Sequence, residues 1–268
     1  MGEGPRVVSR KSLGQHFLAD RSVARRIVDA IRPEDHDTTV EIGPGEGALT
    51  DDLRPRARRL VCIEKDDRLI PQWRERFGDD PRLSVLGADA LEVAERDLPF
   101  PGPYGVIGNL PYYVAGRITM HVVEEWPSAK TLVFMYQKEV AERIAATPGG
   151  GEYGALSVVL QTRFEATLLF PVGPASFRPA PKVQSAVVLL QRRETALDEG
   201  LPRVEFSRIV HGAFSMRRKT INNGLKQGAR LPEAKVADAL ASCGIEPRTR
   251  PEEVSPSDWV ALVRVLLG

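Results

Sequence analysis

Short apolar segments alternate with amphipathic ones over the first two thirds of the chain. Five segments are apolar enough and short enough for buried strands: residues 38–42, 59–64, 82–86, 104–108 and 131–135. Segments with helical spacing of apolar residues follow near 48–53, 69–77, 116–125 and 138–146. A further helix is predicted after Asp20, a good N-cap residue. This alternation is typical of an α/β fold with a parallel sheet covered on both faces.

The pattern changes after residue 150. A helix is predicted at 153–160, and then two β-rich segments, 163–170 and 183–190, flank a proline-rich loop, which favours an antiparallel sheet edge. The polar stretch 194–202 predicts a boundary, so the expected domains are 1–198 and 199–268. The second is predicted to be helical, with one helix along the stripe 206–214 and another from Pro232 to just before Gly244. The last begins at Ser255, with Pro256 in the first turn and Asp258 completing a capping box.

Composition narrows the class of protein. The 268 residues carry a formal net charge of +1, so any surface for nucleic acid must be local. The two cysteines form no disulfide framework, which suggests a reducing cytosol, and the four histidines have no metal-ligand spacing. The longest apolar run, residues 186–190, is far too short for a bilayer. We therefore expect a cytoplasmic protein without a metal site or membrane association.

A glycine-rich loop follows the first strand. Residues 43–47 read GPGEG, so the backbone can turn tightly and approach a ligand closely. The spacing GxGxG, preceded by Glu41, departs from the dinucleotide pattern GxGxxG. Glu64 ends the second strand about 20 residues later, where an acidic residue binds ribose hydroxyls. Asp89 follows the third strand and can accept a hydrogen bond from an adenine amine. The set predicts a site for a nucleoside without a pyrophosphate; the alternative is a tight turn, with Asp89 as a helix cap.

The fourth strand ends in the sequence Gly-Asn-Leu-Pro-Tyr-Tyr at residues 108–113. The Asn109 amide offers both a donor and an acceptor. Pro111 fixes the backbone, and Tyr112 offers a flat face on which a base can stack. Acceptors from the Asn109 side chain and the Leu110 carbonyl can orient an amine so that its lone pair faces an electrophilic methyl group, and positioning would then carry much of the catalysis. The alternative is a proline turn with Tyr112 packed on the core.

Taken together, these motifs resemble the small-subunit ribosomal RNA adenine dimethyltransferase family of class I methyltransferases. The matching segments span nearly the whole chain: residues 11–18, 40–50, 87–90, 108–112, 177–187 and 213–225. The resemblance implies a Rossmann-like α/β domain with a mostly parallel seven-stranded sheet and an antiparallel edge, plus a small all-α C-terminal domain. It also implies methyl transfer from S-adenosylmethionine to N6 of two adjacent adenosines near the 3′ end of 16S rRNA, giving N6,N6-dimethyladenosine in ribosome biogenesis.

Roles for individual residues come from the same resemblance. It implies that four residues contact S-adenosylmethionine: Gly43, Glu64, Asp89 and Asn109. Leu18 and His16 would close over it, although many family members carry asparagine where this chain has His16. Tyr112 would stack on the target adenine. Phe177 would approach the other face of the base, or would simply pack its loop. The expected catalytic group is Asn109, Leu110, Pro111, Tyr112 and Phe177.

A basic segment in the C-terminal part is the candidate RNA contact. Between Phe206 and Pro232 there is no acidic residue and six cations occur: Arg208, Arg217, Arg218, Lys219, Lys226 and Arg230. We expect Arg217, Arg218 and Lys219 to bind ribosomal RNA in a partly assembled subunit, with an unpaired or flipped adenosine reaching the first domain. The alternative is a solvated helix face. Nothing in the sequence demands more than a monomer.

Three other functions remain open from the sequence. An antibiotic-resistance adenine methyltransferase of the large subunit shares the glycine loop and the Asn-Leu-Pro-Tyr motif, although segments 177–187 and 214–220 favour the small-subunit family. A non-catalytic RNA chaperone or transcription factor shares the fold but has no need for the motif residues. An NAD-dependent oxidoreductase is disfavoured by the glycine spacing.

Overall fold

The computed structural model describes residues 16–216 and 218–268, and it divides into two compact units. Of the described residues, one unit contains those up to Ala141 together with Thr167–Arg192, and the other contains those in Glu142–Ala166 and Arg193–Gly268. The second unit therefore includes a segment that the sequence-based boundary at 198 assigned to the first domain. Long-range hydrogen bonds hold that segment in the second unit: the Gly149 N–H donates to the Glu252 carbonyl at 2.7 Å, and the Tyr153 hydroxyl donates to the Val254 carbonyl at 3.0 Å.

Nine strands are present in the described residues. In chain order they are β1 (Phe17–Leu18), β2 (Thr38–Ile42), β3 (Leu60–Glu64), β4 (Leu83–Gly87), β5 (Tyr104–Gly108), β6 (Ala129–Gln137), β7 (Phe164–Val172), β8 (Phe177–Arg178) and β9 (Ser185–Arg192). Seven of them form one sheet in the order β4-β3-β2-β5-β6-β9-β7. The neighbours from β4 to β6 pair in parallel, and β9 pairs antiparallel with β6. The predicted fold class is confirmed.

Helices connect the strands and form the second unit. The described helices are α1 (Arg21–Ile31), α2 (Thr50–Leu53), α3 (Ile70–Phe77), α4 (Tyr112–Glu125), α5 (Lys138–Ala145), α6 (Ala155–Gln161), α7 (Arg203–Ser215), α8 (Ile221–Asn223), α9 (Glu233–Ser242) and α10 (Pro256–Leu267). A π-helical turn, Gly224–Gly228, follows α8. None of these helices combines the length and the apolar character that a bilayer crossing requires.

The central strands are buried along their whole length. Every residue of β2, β3 and β5 is buried, because helices cover both faces of the sheet. Close approach of neighbouring strands leaves no room for a side chain at Gly108, where a Cβ would lie 2.7 Å from the Ile42 carbonyl oxygen. Because β2 to β5 run parallel, their carboxyl ends meet at one edge of the sheet, and the loops that follow them lie side by side.

Helix ends follow the predicted signals with one difference. The Asp20 carboxylate accepts from the backbone N–H of Ser22 and Val23 and so caps α1, as expected. At α10, the Ser255 hydroxyl accepts from the Asp258 N–H at 3.1 Å, which is the first half of the predicted capping box. The second half is different, because the Asp258 carboxylate accepts from the Ser255 hydroxyl at 2.6 Å instead of from the Ser255 backbone.

Candidate active site

One cavity lies at the carboxyl edge of the parallel strands. The structure brings most of the predicted site residues to its wall: His16, Leu18, Gly43, Glu64, Asp89, Asn109, Leu110, Pro111 and Tyr112. They come from residues 16–18, called here the β1 segment, and from the ends of four strands and the loops that follow them. The convergence is therefore a product of the parallel sheet and not of sequence proximity. Three predicted residues lie elsewhere: Phe177 does not line the cavity, and Arg218 and Lys219 belong to the helical unit.

The glycine loop after β2 depends on its glycines. Gly43, Gly45 and Gly47 have φ angles of 69°, 55° and 95°, in the left-handed region that L side chains rarely adopt. A Cβ on Gly47 would also lie 2.7 Å from the Trp73 ring. The Trp73 indole N–H donates to the Gly45 carbonyl at 3.1 Å, which fixes the loop to α3. The loop therefore forms part of the cavity wall in a conformation that its glycines permit and Trp73 contacts.

Glu64, at the end of β3, holds the neighbouring backbone in place. Its side chain accepts from the Gly45 N–H at 3.2 Å and from the Asp66 N–H at 2.8 Å. Only 5% of Glu64 is exposed, and this burial raises its pKa. Each carboxylate oxygen has more than one acceptor position, so Glu64 can still accept from the hydroxyls of a bound ribose.

Asp89, after β4, is paired with a residue that the sequence reasoning missed. Glu64 lies opposite Gly87 in the β3–β4 register, and the next residue, Lys65, places its ammonium 2.6 Å from Asp89 Oδ2. Asp89 Oδ1 accepts from the Leu91 N–H at 3.1 Å. Burial acts to raise the Asp89 pKa, but the hydrogen bonds from Lys65 and the Leu91 N–H lower it by more than burial raises it. The net pKa is therefore below its ordinary value, and the carboxylate stays an anionic acceptor. The sequence contained one signal for this ion pair, which is the position of Lys65 directly after Glu64 at the end of a strand.

Asn109, after β5, has its amide orientation fixed by the β1 segment. The Asn109 Nδ2 donates to the His16 carbonyl oxygen at 2.9 Å. The Asn109 Oδ1 is then the atom of the amide left to accept from a ligand. The motif also starts α4, because Pro111 is its N-cap and Tyr112 is its first residue. The structure thus supplies a positioned acceptor on the cavity wall.

The Tyr112 ring lies between two side chains. Its hydroxyl is 2.6 Å from the Ser185 hydroxyl, and its ring stacks on the His16 imidazole with centroids 5.9 Å apart and planes at 26°. His16 Nδ1 donates in turn to the Pro179 carbonyl at 2.7 Å. A base cannot enter between two rings so close together, because two aromatic stacking contacts need more separation. The face of Tyr112 turned to His16 is therefore covered in this structure.

Glu41, which precedes the glycine loop, also lines the cavity but was not assigned a role from the sequence. Its carboxyl group accepts from the Thr50 hydroxyl at 2.6 Å and from the Cys62 thiol at 3.7 Å. Only 1% of Glu41 is exposed, and burial raises its pKa to about 7. Burial therefore favours the neutral form of this carboxyl group more than it would be favoured at an exposed glutamate.

Comparison with known proteins covers almost the entire chain. Residues 7–267 match the model of the family described as ribosomal RNA adenine dimethylase. The chain belongs to this family. A small-subunit ribosomal RNA methyltransferase A from Geobacter metallireducens is 43% identical, with 100% of this chain and 98% of the relative covered. Its namesake from Pseudomonas aeruginosa is 40% identical, with 96% and 94% covered.

Solved structures agree with this assignment of the family. A dimethyladenosine transferase from Plasmodium falciparum superposes with a TM-score of 0.80 at 26% identity, covering 93% of this chain and 96% of the other. The 23S rRNA methyltransferase ErmE superposes with a TM-score of 0.71 at 31% identity, covering 94% and 100%. The predicted enzyme class, a ribosomal RNA adenine dimethyltransferase, is confirmed for this dimethylase.

The position of Phe177 in this dimethylase agrees with packing and not with contact to a base. Phe177 is 3% exposed, belongs to the hydrophobic core and pairs with Leu18 across the two-stranded β1–β8 sheet. Its burial favours the packing alternative, and its approach to the second face of a target adenine stays a prediction. The cause of this burial is the pairing of β8 with β1, a long-range contact that no local pattern announces.

The basic segment of the dimethylase carries fewer free charges than its sequence implies. The Arg208 guanidinium pairs with Glu205 at 2.8 Å, and the Lys226 ammonium pairs with Glu233. Both acidic partners lie just outside the segment 206–232, so residues beyond its ends compensate two of its six cations.

The remaining cations of this segment include two of the three predicted RNA contacts. Arg218 and Lys219 are exposed in the turn between α7 and α8, where their backbone N–H groups both donate to the Met216 carbonyl at 2.9 Å. Arg217, the third predicted contact, lies outside the described residues. Arg218 and Lys219 thus present their charges on a compact turn of the helical unit.

Proposed function

We propose that this dimethylase transfers methyl groups from S-adenosylmethionine to the N6 amines of two adjacent adenosines near the 3′ end of small-subunit ribosomal RNA. The observation that supports the proposal most strongly is the Asn109 amide, whose Oδ1 is left to accept on the cavity wall that Glu64 and Asp89 share. The names of the bacterial relatives support the small subunit as the target.

The donors and acceptors of the cavity suit this cofactor. Carboxylates line it at Glu64 and Asp89, and these accept from ribose hydroxyls and from an adenine amine. The GxGxG spacing of residues 43–47, which departs from the dinucleotide pattern, argues against an NAD-dependent reaction. S-adenosylmethionine is uncharged at its ribose and adenine and cationic at its sulfonium, so an acidic cavity is compatible with it.

Positioning by the chain's own residues accounts for the catalysis. S-adenosylmethionine supplies a methyl group on a sulfonium sulfur. Asn109 Oδ1 accepts one hydrogen of the target amine and the Leu110 carbonyl accepts the other, which turns the nitrogen lone pair towards the methyl carbon. Tyr112 would stack on the adenine ring through the ring face that is turned away from His16. After transfer the alkylated amine is acidic and loses its proton to water.

The helical unit provides the proposed docking surface. Arg217, Arg218 and Lys219 would bind phosphates of folded ribosomal RNA in a partly assembled subunit, while the first unit receives an unpaired adenosine. A monomer suffices for this scheme, and ribosomal substrates put the enzyme in the cytoplasm.

Mass spectrometry of ribosomal RNA tests the proposal. The protein is incubated with labelled S-adenosylmethionine and, in parallel, with small and large subunits isolated from cells that lack the modification. We expect dimethyladenosine at two adjacent positions of small-subunit RNA and no label in large-subunit RNA. Label on the large subunit alone would assign the chain to the resistance type. No label on either subunit, with RNA binding intact, would make it a non-catalytic assembly factor.

A further inference from the structure

The exposed side of α4 at its first two turns carries a tyrosine and an arginine. Tyr113 lines the cavity beside Tyr112 but is 63% exposed, and it is the one exposed aromatic residue among the large apolar side chains of the described chain. Arg117 follows four residues later and is also exposed. Positions four apart share one side of a helix, so the two side chains form a short ridge, with about 6 Å between them along the axis.

The arginine of this ridge lies near other charged side chains. Within the described part of the chain, Arg117 forms no ion pair, whereas Lys65 is paired with Asp89 at 2.6 Å. Burial acts to raise the Asp89 pKa, whereas Lys65 and, more weakly, Arg117 lower it. The hydrogen bond to Asp89 raises the Lys65 pKa, and the nearby Tyr113 hydroxyl adds to that rise. Tyr113, Arg117, Lys65 and Asp89 therefore lie close together beside the cavity, and Glu92 is also near Lys65.

Neighbouring tyrosines on α4 point to different surroundings. Successive helix positions are rotated by about 100°, so Tyr112 turns inward to Ser185 while Tyr113 turns to solvent at the rim. An exposed aromatic ring beside an unpaired arginine is the arrangement that proteins use for unpaired nucleotides, since the ring stacks on a base and the guanidinium binds a phosphate.

We infer that Tyr113 and Arg117 bind the nucleotide next to the target adenosine, with Tyr113 stacked on its base and Arg117 on its phosphate. The inference rests on the proposed function, which requires an unpaired RNA strand at the cavity mouth. It adds a substrate contact on the methyltransferase unit itself. The contact has a use in this reaction, because two adjacent adenosines must occupy the cavity in turn while the strand stays bound.

The experiment compares Tyr113→Ala, Tyr113→Phe and Arg117→Gln in the full chain, with unmodified small ribosomal subunits as substrate. Stacking of about 1–3 kcal/mol per base predicts that Tyr113→Ala raises KM for the subunit roughly 5- to 150-fold, with kcat and the Kd for S-adenosylmethionine unchanged. Tyr113→Phe keeps the ring and should stay within about twofold. Arg117→Gln should reduce the slope of log KM against log salt by about 0.7, the value for one phosphate contact on a single strand.

Matched controls come from the same unit. Leu168→Ala removes another exposed apolar side chain, and Arg96→Gln removes another exposed arginine; neither residue lines the cavity. An unchanged KM for Tyr113→Ala would overturn the inference. A rise in the Kd for the cofactor parallel to the rise in KM would also overturn it, because Tyr113 would then be part of the cofactor wall. Sedimentation of the variants together with ribosomal subunits measures their affinity for the subunit without requiring methylation. An inactive wild type therefore defeats the proposed function, and the sedimentation result alone decides the inference.

Discussion

Replacing Asn109 by aspartate isolates the orientation of one amide. The variant keeps the size of the side chain and an oxygen at the Oδ1 position, but it replaces the Nδ2 donor with a second oxygen. In the structure this donor lies 2.9 Å from the His16 carbonyl oxygen. The aspartate therefore brings two acceptors face to face, and its side chain must rotate or the β1 segment must move.

The expected loss follows from that contact. Removing one partner of a partly buried hydrogen bond and leaving the other unsatisfied costs about 1–3 kcal/mol. If this energy appears in the alignment of Oδ1 with the target amine, kcat falls roughly 5- to 150-fold. A protonated carboxyl group can donate to the His16 carbonyl again. The Asn109→Asp enzyme should therefore recover part of its rate relative to wild type as the pH falls towards the carboxyl pKa.

Single-turnover methyl transfer to unmodified small subunits measures this effect, and calorimetry with S-adenosylmethionine separates it from cofactor binding. Asn109→Ala serves as the comparison, because it removes both the donor and the acceptor and should have no recovery at low pH. A wild-type rate for Asn109→Asp at neutral pH would refute the reasoning, since an amide that needs no fixed orientation has no use for the His16 contact.

Two further predictions concern buried charge and RNA docking. Burial raises the Glu41 pKa from its ordinary value of 4.5 to about 7, so the unfolded chain loses this proton at a lower pH than the folded one. Glu41 therefore lowers the free energy of unfolding increasingly as the pH rises from 4.5 to 7, by roughly 3 kcal/mol in all. Urea unfolding should therefore show Glu41→Gln gaining stability relative to wild type between pH 5 and 8, and parallel pH curves would contradict it. The double variant Arg218→Ala, Lys219→Ala should weaken subunit binding and lower its salt dependence while calorimetry shows unchanged cofactor binding; an unchanged salt slope would remove these residues from the docking surface.

Local pattern sufficed for much of the fold. The apolar runs that became β2 and β5 were predicted with their observed bounds, because strands buried on both faces contain few polar residues. The convergence of Glu64, Asp89 and Asn109 followed from the rule that carboxyl ends of parallel strands meet at one edge. Neither prediction required knowledge of any long-range contact beyond the sheet itself.

Long-range contacts decided the features that the sequence left open. The ion pair of Lys65 with Asp89 depends on the β3–β4 register, and the burial of Phe177 depends on its pairing with Leu18. The attachment of residues 142–166 to the helical unit depends on contacts such as that of Tyr153 with Val254. Each joins residues far apart in the chain, where periodicity and spacing carry no information.

The chemistry of the motif explains why these contacts matter more than any ionisable group in it. Residues 108–113 contain no carboxylate or imidazole, and burial raises the pKa of the Tyr112 phenol, which therefore stays protonated at neutral pH. The adenine amine needs no base to react, because its proton becomes acidic only after the methyl group has been transferred. What it needs is a lone pair turned to the methyl carbon, and this depends on where Asn109 Oδ1 points. The β1 segment, through the His16 carbonyl, fixes that direction, so a residue more than ninety positions away in the chain belongs to the positioning machinery of the reaction.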